Sequence, residues 1–197
     1  MTYQNILNSI INLSNQGASI KQKLDADVKT ALATYQEEFS TDEVKRLTDN
    51  ANAQLASLKN QAQETLDNGI NSMQTELDNK YFANIEPAVA SEIEMLQHTD
   101  LSSDELKGYV RKYQSNLPVL RRLEAIAKGK GYKIVGLTYS HELSFIEHFK
   151  KDTQVLVDQI PTNANTLTKI STNMLLDKVD QYNKKQAENV YRVEKAN

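Results

Sequence analysis

Apolar residues between Ser40 and Ile85 recur every eleven positions. Val44, Leu55, Leu66 and Leu77 share one slot, Leu47 and Leu58 a second, and Ala51, Ala62 and Met73 a third. Eleven residues make three turns of about 3.67, so each slot returns to the same face and a continuous helix carries a nearly straight apolar seam. At 1.5 Å per residue that helix would be roughly 60 Å long, too long for a small compact domain to cover. The seam therefore needs other helices, from this chain or from another copy. Val44, Leu47, Leu55, Leu58, Leu66, Met73 and Leu77 are its candidate contact residues.

A first helix can supply part of the cover. Ile6, Leu13 and Ile20 occupy one heptad slot and Ile10, Gly17, Leu24 and Ala31 the other, with Val28, Leu32, Tyr35 and Phe39 extending the apolar face. Gly17 should weaken this seam, since glycine costs about 1 kcal/mol relative to alanine inside a helix. Ser40-Thr41-Asp42-Glu43 fits a capping box and predicts that the second helix starts there. No Gly or Pro forces a reversal, so a continuous helix with a phase change stays open. A turn of two or three residues is favoured because it buries both seams.

Beyond Pro87 the prolines punctuate shorter segments. A helix is predicted over 88–98 with Val89, Ile93 and Leu96 inward. A second capping box at Ser102-Ser103-Asp104-Glu105 opens a helix faced by Leu106, Tyr109, Val110 and Tyr113. Asn116-Leu117-Pro118 starts the next, faced by Val119, Leu120, Leu123 and Ile126 and stopped at Gly129-Lys130-Gly131. Tyr132–Tyr139 has strand-like content but no evident partner strand, so it reads as an extended link or a first helical turn. Ser140 should cap a helix faced by Leu143, Ile146, Phe149, Leu156 and Ile160 and closed by Pro161. After a polar loop, Thr162–Thr166, a last helix is predicted from about Leu167 to Val193, with Ile170, Met174, Val179, Tyr182 and Val190 on its face. The expected fold is all-α: an elongated helical bundle or coiled-coil stalk with a small helical head inserted before the last helix. Residues 1–86 form the stalk hairpin, 87–160 the head and 161–197 the helix returning along the stalk.

Composition supports helix, with six Gly and three Pro in 197 residues, and the absence of Cys excludes disulfides and thiolate chemistry. The first twenty residues lack charge, yet six Asn and Gln interrupt them. The expectation is a soluble, cytoplasmic (or virion) protein with no cleaved signal and no membrane span. Charge is uneven. Residues 1–86 hold 7 basic and 12 acidic residues, and 87–197 hold 16 and 14.

No enzyme is expected. The three histidines, His98, His141 and His148, match neither a zinc motif nor a di-iron motif. No Gly-flanked nucleophilic serine occurs, and Gly129-Lys130-Gly131 falls short of a phosphate loop, so no metal or cofactor is predicted. One charge feature stands out. Lys107, Arg111, Lys112, Arg121, Arg122, Lys128, Lys130 and Lys133 face Glu124 alone, a local balance of +7 with Tyr109, Tyr113 and Tyr132 interleaved. Such a patch suits phosphates, nucleic acid or an acidic protein surface, and it is also what a solvated helix face looks like.

Leu101-Ser102-Ser103-Asp104-Glu105-Leu106, with Tyr113, Asn116 and the run from Pro118 to Ala127, resembles segments of helical structural proteins of phages and prophages of Gram-positive bacteria. The resemblance is confined to this stretch and implies a virion-associated or assembly role. It transfers no catalytic residue. The leading expectation is a non-enzymatic structural or assembly protein acting by helix–helix contacts, forming a homo-oligomer and meeting other structural proteins. A nucleic-acid-binding protein using residues 107–133 is the alternative, and a helical antagonist docking on a host protein is a third.

Overall fold

The computed structural model describes residues 2–160 and 165–196, with side chains described for 2–160 and 171–196. The chain is all-α: α1 (Tyr3–Thr34), α2 (Glu37–Tyr81), α3 (Pro87–His98), α4 (Ser103–Lys112), α5 (Leu117–Gly129), α6 (Tyr139–Gln159) and α7 (Asn165–Ala187). Two short strands, β1 (Tyr132–Val135) and β2 (Arg192–Lys195), complete the described elements. Two compact units emerge: Met1–Asn71 with His148–Asp180, and Ser72–Glu147 with Gln181–Asn197. These limits fall inside α2, α6 and α7, whereas the sequence-based division placed them at Pro87 and Pro161.

In the first unit α1 and α2 pack as an antiparallel pair. Thr2 caps α1, its hydroxyl accepting from the Asn5 amide at 3.3 Å. The link is only Tyr35-Gln36, with Tyr35 extended at φ −102° and ψ 152°. The second helix thus begins before the predicted capping box. Ser40 lies inside α2, buried, with its hydroxyl donating to the Glu37 carbonyl at 2.9 Å, while Glu43 pairs with Arg46 instead of reaching back. The same side chains that can cap a helix can bond back to an earlier carbonyl, and here the helix had already started.

The core of this unit contains Ile6, Leu7 and Ile10 from α1 and Leu55, Leu58, Ala62, Leu66 and Ile70 from α2. Phe149, Leu156, Val157 and Ile160 join it from the α6 side, and Leu175 and Val179 from α7. Two glycines allow the close approach. A methyl on Gly69 would overlap the Ile6 side chain, and one on Gly17 would lie 3.3 Å from Ile160 Cγ2 and 3.4 Å from Leu55 Cδ2. Gly17 is therefore a buried seat rather than a weak point. Its helix-propensity cost is offset by the packing it permits.

Three polar rungs join α2 to α6. Lys59 Nζ lies 2.9 Å from Asp158, the Gln63 and Gln154 amides exchange hydrogen bonds at 3.1 and 2.7 Å, and Lys150 Nζ lies 3.3 Å from Asp67. Each rung is four residues along α2 and four back along α6, so the antiparallel register repeats turn by turn. The ion pairs are half-exposed and each contributes at most about 1 kcal/mol. Their order, Lys–Asp, Gln–Gln, Asp–Lys, selects register, because a one-turn slip mismatches every rung.

In the second unit, residues of α3, α4 and α5 bury a cluster that includes Ile93, Leu96, Leu106, Val110, Val119, Leu120 and Leu123. The Ser102–Glu105 capping box is present, and Asn116 caps α5 with Pro118 in its first turn. Tyr132–Val135 is a strand after all. It pairs antiparallel with β2, Tyr132 opposite Lys195 and Ile134 opposite Val193, and the Ala196 amide donates to the Gly131 carbonyl at 2.9 Å. The partner strand lay in the stretch read as the end of the last helix, which stops at Ala187. Gly131 and Gly136, at φ +75° and +146°, bracket β1. A side chain at Gly136 would also meet the Tyr191 ring.

Several predicted faces shift. Leu32, Tyr35 and Phe39 are exposed, because α1 stops at Thr34 and nothing described covers the link. Met174 and Val190 are exposed too, with Leu175 buried in place of Met174. Ser140 lies within the first turn of α6 rather than before it, and α7 begins inside the predicted loop. The Pro161 stop and the inward placements of Leu167 and Ile170 lie outside the described residues and side chains.

Leu66→Ala, at a fully buried position, should cost about 2–5 kcal/mol in urea unfolding. Lys59→Ala should cost less than about 1 kcal/mol. Comparable losses at the two sites would mean that the rungs, not the seam, hold the first unit together.

Candidate anion-binding clefts and a tyrosine network

The seam residues divide by position. Leu55, Leu58, Leu66, Met73 and Leu77 are buried within the chain, whereas Val44 and Leu47 are half-buried. Toward the link, Ile20, Leu24 and Leu47 line a shallow groove between α1 and α2 together with Lys23 and Asp27.

The eight cations of 107–133 do not act as one field. Lys107 pairs with Asp104 at 2.8 Å, Lys133 with Glu194 at 3.4 Å, and Lys112 with Glu92 at 2.6 Å. Glu92 also accepts from the Tyr113 hydroxyl in a very short hydrogen bond. Lys112 holds the Glu92 carboxyl below the usual carboxylate range, with Tyr113 adding to the effect, so the α3–α4 tie weakens as pH falls through that range. Among the described residues Arg111, Arg122, Lys128 and Lys130 make no ion pair.

Of the remaining cations, Arg111 lines one opening and Arg121, Arg122 and Lys128 another, while Lys130 lines neither. One cleft, of about 460 Å³, lies between α4 and β2 and is bounded by Lys107, Arg111, Gln114 and Arg192. The other, of about 380 Å³, brings Arg121, Arg122 and Lys128 of α5 to Gln97 of α3 and to Tyr139 and Ser140 of α6. Arg121 is held there by stacking. Its guanidinium carbon lies 3.7 Å from the Phe82 ring centre and 5.5 Å from that of Tyr139. Glu124 lines the same cleft and accepts from the Thr138 hydroxyl at 2.8 Å.

Sequence reading missed a polar network in this unit. The Tyr81 hydroxyl lies 2.9 Å from the Leu137 carbonyl oxygen and 2.8 Å from Glu142 Oε1, its one proton shared between these two acceptors, and Tyr182 donates to Glu142 Oε2 at 3.1 Å. Tyr191 donates to the Leu137 carbonyl at 3.0 Å, while Asn189 accepts from the Leu137 amide at 2.9 Å. The Tyr182 ring stacks on Phe145 with centres 3.9 Å apart. These bonds fasten the C-terminal segment to the end of α2 and the start of α6. Their partners are too far apart in sequence for spacing to reveal them. The only local signal was a Tyr-rich composition, nine in the chain.

His98, His141 and His148 are exposed, and no group of three or more metal-ligating side chains occurs among the described residues. No described helix is long and apolar enough to cross a membrane. No protein-family model, curated protein or solved structure matches the chain.

Burial pushes the Tyr81 phenol well above its ordinary value, and the Glu142 carboxylate raises it further. The folded-state value exceeds the unfolded one, so the stabilisation is complete below about pH 10 and is lost as pH rises beyond it. Tyr81→Phe should cost about 1–2 kcal/mol at neutral pH, because Glu142 and Leu137 each keep a second donor. The variant should also lose less stability than the wild type between pH 9 and 11 (about one unit either side of the tyrosine value). Parallel alkaline unfolding curves for the two proteins would contradict this role.

Proposed function

We propose that this chain is a non-enzymatic helical structural or assembly protein that works through helix–helix contacts with other chains, a second copy among them. The supporting observation is the link end of the α1–α2 pair. Leu32, Tyr35 and Phe39 are 61, 52 and 67 % exposed, next to Val28, Val44 and Leu47, which are only half-buried. Burying a Leu or Phe side chain contributes roughly 1.5–3 kcal/mol, so a partner helix laid over this end would gain several such terms. The phage or prophage setting, in the host cytoplasm or the virion, rests on the resemblance of the segment from Leu101 to Ala127.

The reading differs from simple pairing along the whole seam. From Leu55 to Leu66 the first unit covers its own stripe, so an intermolecular contact has to use the end near Tyr35. Sedimentation over a wide concentration range, at low and high salt, should show species heavier than the 22.3 kDa monomer. Leu32→Ser with Phe39→Ser should shift the distribution to monomer while circular dichroism stays unchanged. A wild-type chain that remains monomeric at tens of micromolar would contradict self-association. Dissociation by salt with no effect of the two substitutions would move the contact to charged surfaces.

A further inference from the structure

We propose that the cleft between α5 and the start of α6 binds single-stranded nucleic acid, with Arg122 and Lys128 on backbone phosphates and a base stacked beside Arg121 and Phe82. Three observations meet here. Arg122 and Lys128 are exposed and make no ion pair among the described residues, whereas Lys107, Lys112 and Lys133 are each committed to a carboxylate. The cleft they line is concave, about 380 Å³, within the range of small-ligand sites. Beside it the Phe82 ring is 52 % exposed, with the Arg121 guanidinium 3.7 Å from its centre.

Phe82 is a large apolar ring in water, propped edge-on against Tyr139 with centres 5.4 Å apart, and Tyr139 is itself held by its hydroxyl bond to Asp78 at 2.9 Å. The ring and the guanidinium therefore form a pre-positioned flat pair. Flat faces of this kind stack on unpaired bases, and neighbouring cations track the phosphates between them. An acidic protein surface would use the cations but not the stack, and duplex bases are already stacked on one another. Glu124 reduces the cleft's charge to a balance of +2, and its hydrogen bond from Thr138 occupies one carboxylate oxygen. The cleft thus suits a short single-stranded segment held by few phosphates. The inference does not depend on the assembly role.

The test is fluorescence anisotropy of a labelled oligothymidylate with the full chain, repeated across a salt series. Binding should weaken with salt. Arg122→Ala with Lys128→Ala should reduce affinity about tenfold or more and flatten the log–log salt slope by about 1.4, for two single-strand phosphate contacts. Phe82→Ala should cost about tenfold with little change of slope. Arg111→Ala, in the other cleft, should leave both unchanged. The proposal is overturned if no binding occurs at low salt, or if the Arg122/Lys128 variant binds like the wild type. It is also overturned if duplex DNA binds as tightly as the single strand. Equal displacement by polyglutamate, with Phe82→Ala silent, would assign the cleft to an acidic protein instead.

Discussion

The apolar stripe of α2 has to be kept from water, and the rest of the first unit follows from how that is done. A stripe with an eleven-residue period stays on one face, so a straight neighbour can follow it for many turns. α1 does so from its N-terminal end, with Ile6 seated on Gly69 and Leu55 near Gly17. The segment of α6 in this unit lies along α2 as well, and Ile160, just past its end, sits against Gly17. Glycine at these two points is a packing requirement: each removes the methyl group that would hold the neighbouring side chain away. Hydrophobic burial supplies the energy, and the Lys59–Asp158, Gln63–Gln154 and Asp67–Lys150 rungs choose the register. The division of labour is the usual one between non-directional and directional forces.

The elements most legible in the sequence were those whose signals are local. The Ser102 capping box, the Asn116-Leu117-Pro118 start and the burial of Leu55, Leu58, Leu66 and Leu77 all depend on neighbours within a few turns. The boundary between α1 and α2 was less legible. Tyr35-Gln36 carries no turn residue, and Ser40-Thr41-Asp42-Glu43 mimics a cap while serving as helix interior. β1 was missed for a different reason: its partner begins 57 positions beyond Val135 and continues a run that reads as helix. Pairing energy between strands that distant has no local trace.

The candidate site shows the same limit. The eight cations from Lys107 to Lys133 read as one patch, but helix geometry sends them in different directions and three of them are neutralised by carboxylates. Glu92 and Glu194 could not be assigned as partners from spacing, whereas Asp104, three residues before Lys107, could. What survives of the patch is narrower and chemically more specific. Arg121, Arg122 and Lys128 share one cleft with an exposed aromatic ring at its side. The Tyr81, Tyr182 and Tyr191 hydroxyls converge on Leu137 and Glu142 from three segments, and this stitching holds the C-terminal segment in the unit that carries the cleft.

α1 folds back on α2 and covers its seam within one chain. The chain has no cysteine, so spin labels can be placed by Asn12→Cys and Asn60→Cys without removing native thiols; both positions are exposed. In an antiparallel pair these sites face each other across helix axes about 8–10 Å apart, and pulsed dipolar spectroscopy should give a distance below about 30 Å with the label arms included. Samples diluted with unlabelled chain should give the same distance. A separation of roughly 70 Å, the span from Asn12 to Asn60 along one continuous helix, would contradict the account. So would a short distance that disappears on dilution with unlabelled chain.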